Sequence, residues 1–68
     1  MIQELKTYAC DGIPTDEDIQ QAIDIAQRDG CLIKLSWYVK HSGNYSAIIA
    51  HDSTLESVRA QMPRVYGI

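Results

Sequence analysis

The residues that could carry catalysis or bind a metal are two histidines, two cysteines and a short acidic run. His41 and His51 are ten positions apart and flank a predicted strand, so they cannot share one metal ion within a chain. Cys10 and Cys31 lack the close CxxC spacing of zinc sites. The run 16–18 lacks the alternating ligands and the turn glycine of a calcium loop. We therefore predict neither a metal nor a cofactor.

Cys31 and His51 are the one candidate nucleophile–base pair. Cys31 has the parity of Ile33, which predicts that it points into the core, whereas the favoured strand register points His51 outward. The chain contains no Walker sequence, no GxGxxG and no GxSxG. We predict a protein that is not an enzyme and has no catalytic residues.

The stretch 31–51 organises the rest of the chain and predicts a β-hairpin. Its first half alternates apolar residues at 33, 35, 37 and 39 with mostly polar neighbours, the period of a strand with one buried face. Ser42, Gly43 and Asn44 tolerate positive φ and predict a turn. The run 45–51 is rich in β-branched and aromatic residues and predicts the second strand.

The length of the turn decides which residues share a face of the hairpin. Gly43 followed by Asn44 suits a two-residue type II′ turn, which we favour; a three-residue loop would reverse the parity of the second strand. With the two-residue loop, the core face carries Ile33, Leu35, Trp37, Val39, Ser46, Ile48 and Ala50. The opposite face then carries Lys34, Ser36, Tyr38, Lys40, Tyr45, Ala47, Ile49 and His51.

A long helix is predicted from its N-cap, Thr15, to about Asp29. Asp18 can complete a capping box, and Gly30 is suited to end the helix. One face of this helix is an apolar stripe of Ile19, Ala22, Ile23 and Ala26.

A second, shorter helix is predicted from a cap at Ser53, with Glu56 three residues later, to Pro63. The first ten residues fit a helix or an edge strand, and we favour the strand. Val65 and Tyr66 are expected to pack against the sheet or a helix. We expect one α+β domain over 1–68: two layers, (β)-α-β-β-α, with both helices on one face of a small antiparallel sheet.

Charge is unevenly distributed along the 68 residues, whose net charge is −3. Six of the nine acids lie within 11–29, whereas the hairpin has two lysines and no acid before Asp52. The acidic total argues against binding that depends on phosphate neutralisation. No apolar run is long enough to span a membrane, and the N-terminus lacks a signal-peptide pattern, so we expect a cytoplasmic protein. In that compartment both cysteines are expected to be small apolar residues.

Two surfaces are candidate partner sites. The first is the acidic helix, with Asp16, Glu17, Asp18 and Asp24. It could dock on a basic groove that normally holds nucleic acid, although capping and the helix dipole explain the same acids without a partner. The second is the sheet face, with Lys34, Tyr38, Lys40, Tyr45 and Ile49. Aromatic residues with basic neighbours can stack bases or anchor a protein interface, although scattered solvated strand residues would look the same.

In size, acidity and lack of a catalytic motif, the chain resembles small proteins encoded by bacteriophages and prophages, including the anti-CRISPR inhibitors of host defence. The hairpin LSWYVKHSGNYSAII and the terminal MPRVYGI are its most distinctive segments. The resemblance implies a protein that occupies a surface of a larger complex, and it carries over no site residue.

We accordingly expect a non-catalytic interaction module that binds a host protein or a protein–nucleic-acid complex, with no role for a membrane. Two alternatives stay open. One is a small nucleic-acid-binding regulator that uses the sheet face, and the other is a homodimer built on the open sheet.

Overall fold

The computed structural model of the chain describes residues 4–62. In this range the elements are β1 (Leu5–Cys10), α1 (Asp16–Asp29), β2 (Leu32–Val39), β3 (Gly43–Ile49) and α2 (Leu55–Arg59). The α+β class and the β-α-β-β-α order are confirmed, and the first segment is the edge strand that we favoured. The expectations for Pro63, Val65 and Tyr66 fall outside the described residues.

The sheet is mixed, in the order β1-β2-β3. β2 and β3 are antiparallel, as predicted for the hairpin, but β1 runs parallel to β2, so the prediction of a wholly antiparallel sheet is corrected. The physical reason is the connection. β1 and β2 are joined through α1, and such a helical crossover returns the chain to the end from which it started, which makes the two strands parallel.

The hairpin closes with three loop residues, so the favoured two-residue turn was wrong. Val39 pairs with Gly43, and the Ser42 N–H donates to the Val39 carbonyl at 3.0 Å. His41 takes the left-handed position of this turn with φ of 74°. Gly43, with φ of 101°, begins β3 instead of forming the turn centre.

The longer loop reverses the parity of β3, as it must. Trp37 pairs with Tyr45 and Ile33 with Ile49, so both β3 residues lie on the core face rather than outside. Ile49 is 0% exposed, whereas Ile48, which was expected in the core, is 44% exposed.

The core lies between the sheet and the helices. The predicted stripe of α1 is confirmed, since all four of its residues are buried. Leu35 and Trp37 of β2 are buried, as expected, and the Trp37 and Tyr45 rings stack with centroids 6.1 Å apart. Cys31 is also buried in this core, and Cys10 packs partly against it.

The predicted start of α1 is confirmed in detail. The Thr15 side chain accepts a hydrogen bond from the Asp18 N–H at 3.2 Å, and the Asp18 carboxylate accepts one from the Thr15 N–H at 3.0 Å. Gly30 ends the helix in the left-handed conformation with φ of 63°.

Removing the cap should therefore weaken the domain measurably. We expect Thr15→Ala to lower the free energy of unfolding by about 1 kcal/mol, because an N–H group of the first turn loses its acceptor. Thr15→Ser, which keeps the hydroxyl, should cost less than half of that. Urea titrations followed by circular dichroism would measure both, and equal losses for the two variants would contradict the capping role.

The second helix starts one residue later than predicted and is shorter. Thr54, not Ser53, is the N-cap, and its partner in the capping box is Ser57, not Glu56. Ser53 instead accepts the Ala50 N–H at 2.9 Å, which fixes the turn after β3. Met62 lies beyond α2 but still reaches the core, with 7% exposure.

Candidate binding surface on the open sheet face

The strand register defines one sheet face that points away from the helices. We call it the outer face; its side chains are those of Leu5, Thr7, Ala9, Leu32, Lys34, Ser36, Tyr38, Asn44, Ser46 and Ile48. These residues share a face because paired residues of neighbouring strands point the same way. Their counterparts at the alternate positions of β2 and β3 form the core under α1 and α2.

Large and small residues are arranged in rows across the outer face. Ala9, Ser36 and Ser46 form a row of small side chains. Lys34 precedes this row along β2, and Tyr38 follows it. A shallow pocket of about 440 Å³ opens here, lined among others by all five of these residues. The small side chains form the bottom of the pocket, and Lys34 and Tyr38 rise on either side of it. Such a depression can receive a protruding side chain of a partner.

The outer face exposes three large apolar residues. Leu5 is 53% exposed, Tyr38 59% and Ile48 44%. Lys34 is the one formally charged side chain of this face at neutral pH, and within residues 4–62 it takes part in no salt bridge. The surface is therefore apolar and hydroxyl-rich, with one positive charge.

The structure divides the residues that were predicted for the sheet site. Lys34 and Tyr38 lie on the outer face as expected. Lys40 lies in the hairpin loop, and Tyr45 and Ile49 lie on the core face, so these three do not belong to the surface. Sequence reasoning missed the residues that replace them, Asn44, Ser46 and Ile48, because it favoured the shorter turn. The three-residue hairpin loop, which was the alternative considered, would have placed these residues on the outer face.

Three of the four predicted acidic-helix residues accept hydrogen bonds, and two of these bonds support the fold. Asp16 accepts hydrogen bonds from Arg59, which ties the start of α1 to α2. Asp18 completes the capping box of α1. Asp24 accepts a hydrogen bond from Gln20 one turn earlier at 3.1 Å, and Glu17 is exposed. The acidic cluster is thus partly explained by the stability of the fold.

The charges at the other end of α1 also join elements together. The Lys6 ammonium of β1 lies 3.0 Å from the Asp29 carboxylate, and Arg28 also binds it. Hydrogen bonds from Arg28 and Lys6 lower the pKa of Asp29 to about 2. The hydrogen bond from Lys6 to Asp29 raises the pKa of Lys6.

The residues that were considered for metal binding or nucleophilic chemistry are not clustered in the described part of the chain. Residues 4–62 contain no group of three histidine, cysteine or acidic side chains that could hold a metal ion. Both cysteines are free, Cys31 is buried, His51 is exposed in the turn after β3, and within residues 4–62 no hydrogen bond joins Cys31 to His51. Burial raises the pKa of the Cys10 thiol, the opposite of an activated nucleophile. Among the described helices, none is both long and apolar enough to cross a membrane.

Comparisons with protein-family models, with curated proteins and with solved structures find no match to this chain.

Proposed function

We propose that the protein is a non-catalytic interaction module that binds a partner protein through its outer face. The observation that carries the proposal is the exposure of Tyr38, at 59%, beside an open pocket on a face that the helices leave uncovered. Tyrosine is enriched among the residues that dominate binding energy, because it buries a large area at low entropy cost and keeps a polar tip.

The character of the outer face favours a protein over a nucleic acid. Base stacking on a sheet usually uses two or more aromatic residues. Of the two tyrosines predicted for this role, Tyr45 stacks on Trp37 in the core layer, which leaves Tyr38. Phosphate contacts need several cations, whereas this face has Lys34 and the chain has a net charge of −3.

The same features describe the partner. Its surface should place an apolar or aromatic side chain against Tyr38 and a carboxylate or carbonyl within reach of Lys34. The resemblance to phage-encoded inhibitors of the anti-CRISPR type suggests where to search, namely a cytoplasmic host protein or protein–nucleic-acid complex whose working surface this module would occupy.

Site-specific photocrosslinking would test the proposal and capture the partner in one experiment. A benzophenone amino acid at position 38 should give one dominant protein adduct in host cells. The same probe at Gln21, an exposed position of α1, is the matched control and should not give that adduct. The crosslinked protein, once purified, should bind the unmodified chain in solution. Adducts from position 21 alone would contradict a role for the outer face.

Two further experiments test the nucleic-acid alternative and the inhibitor class, one each. Fluorescence anisotropy with single-stranded RNA and DNA at low salt should show no binding; tight, salt-sensitive binding would favour the regulator instead. Expression in a bacterium whose CRISPR system targets a phage should restore plaque formation if the inhibitor class is right. Immunity that stays intact in every system tested would remove the inhibitor class and leave the interaction module.

A further inference from the structure

The two free edges of the sheet are treated differently by the fold. At the β3 edge, the side-chain amide of Gln61 occupies the position of a neighbouring strand. It donates to the Ile48 carbonyl at 2.8 Å and accepts from the Ile48 N–H at 3.0 Å. A side chain that pairs with both backbone groups of an edge residue limits the addition of another strand there.

At the β1 edge, the described structure has no such device. The Leu32 N–H donates to the Glu4 carbonyl at 2.9 Å, so the backbone of Glu4 points to β2. By strand alternation, Lys6, Tyr8 and Cys10 direct their backbone groups to β2. The N–H and carbonyl groups of Leu5, Thr7 and Ala9 therefore point to solvent, and these three residues are exposed.

We propose that the β1 edge binds the β1 edge of a second copy in antiparallel orientation, which joins two sheets into one of six strands. The register that uses all three outward-pointing residues is centred on Thr7. It pairs Thr7 with its own copy and Leu5 with Ala9 of the other chain, and it supplies about six backbone hydrogen bonds.

This register also suits the side chains of the strand. Leu5, which is 53% exposed, meets the small Ala9, a large residue opposite a small one. Lys6 comes to lie opposite Tyr8, so no two like charges are opposed. A register centred on Lys6 would place two lysines opposite each other, which is unfavourable. The strand contains no proline, and its one basic side chain is held by Asp29.

The inference is independent of the proposed function, since it rests on the edge of the sheet and not on its outer face. If both are right, the dimer presents two copies of Tyr38 on one continuous six-stranded face, and a partner would meet a twofold surface.

The test compares the variant Thr7→Pro with a matched control, Ser46→Pro. Proline at 7 removes an outward-pointing N–H of the β1 edge, and proline at 46 removes an equivalent one at the β3 edge. Neither N–H bonds to β2 by the alternation above. Sedimentation equilibrium should give twice the 7.6 kDa chain mass for the wild type at high concentration. Thr7→Pro should weaken the dimer by roughly 30-fold or more, because two central hydrogen bonds are lost, and Ser46→Pro should leave it unchanged.

Amide hydrogen exchange locates the interface independently of the variants. The N–H groups of Leu5, Thr7 and Ala9 should become protected as the wild-type concentration rises, while those of Asn44 and Ser46 should stay fast. Circular dichroism would verify that both proline variants fold. A wild type that is monomeric at about 1 mM, where even weak specific association is detected, would overturn the proposal. A dimer that Thr7→Pro leaves intact, or exchange protection confined to the β3 edge, would overturn it as well.

Discussion

Ile49→Ala should lower the free energy of unfolding by about 2–5 kcal/mol, whereas Ile48→Ala should cost less than about 1 kcal/mol. The two residues are adjacent and chemically identical, but Ile49 is 0% exposed in the core and Ile48 is 44% exposed on the outer face. A domain of this size has a total stability of about 3–10 kcal/mol, so the first variant should be close to unfolding.

Urea denaturation of the two variants, followed by tryptophan fluorescence and circular dichroism, would measure this difference. Each variant serves as the control for the other, because both replace an isoleucine of β3 with alanine and so change composition and strand propensity equally. A larger loss for Ile48→Ala than for Ile49→Ala would mean that the hairpin closes with the two-residue turn and that the outer face is assigned to the wrong residues.

Local patterns in the sequence were sufficient for most of the fold. The period of two in β2, the apolar stripe of α1 and the Thr15–Asp18 capping box are all set by neighbours within a few residues, and all are confirmed. The direction of β1 was predicted wrongly, because nothing within β1 itself encodes whether its partner runs parallel. It follows from the path of the chain through α1 to the neighbouring position in the sheet.

The candidate surface was harder to predict than the fold, because it depends on a single turn. Lys34 and Tyr38 were placed correctly, since the alternation of β2 fixes them. Tyr45 and Ile49 were misplaced because the glycine at 43 suggested the turn centre, whereas His41 adopts the left-handed conformation instead. An error of one residue in a hairpin loop transfers every side chain of the following strand to the opposite face.

Tyr38→Ala should weaken binding of the partner by roughly 30-fold or more, as expected for an aromatic anchor worth about 2 kcal/mol. The free energy of unfolding should stay within about 0.5 kcal/mol of the wild type, because the ring is 59% exposed and lies on the sheet face opposite the core. Loss of binding without loss of stability separates a contact residue from a structural one.

The matched control addresses the second candidate surface. Reversing all four acids of the acidic helix would be ambiguous, because Asp16 binds Arg59 and Asp18 caps α1. The double variant Glu17→Gln with Asp24→Asn removes charge only from the two acids that bond neither to another secondary-structure element nor to the helix cap. The one hydrogen bond of Asp24 comes from Gln20 of the same helix. Its affinity should stay within about threefold of the wild type, the size expected for rim charges that act mainly on the association rate.

The affinity of the crosslinked partner for three chains is the most direct test that the outer face is the binding surface. Titration calorimetry should find tight binding to the wild type and to the Glu17→Gln, Asp24→Asn variant, and binding at least roughly 30-fold weaker to Tyr38→Ala. Full affinity in Tyr38→Ala together with loss of binding in the helix variant would contradict the outer-face proposal and assign the partner site to α1.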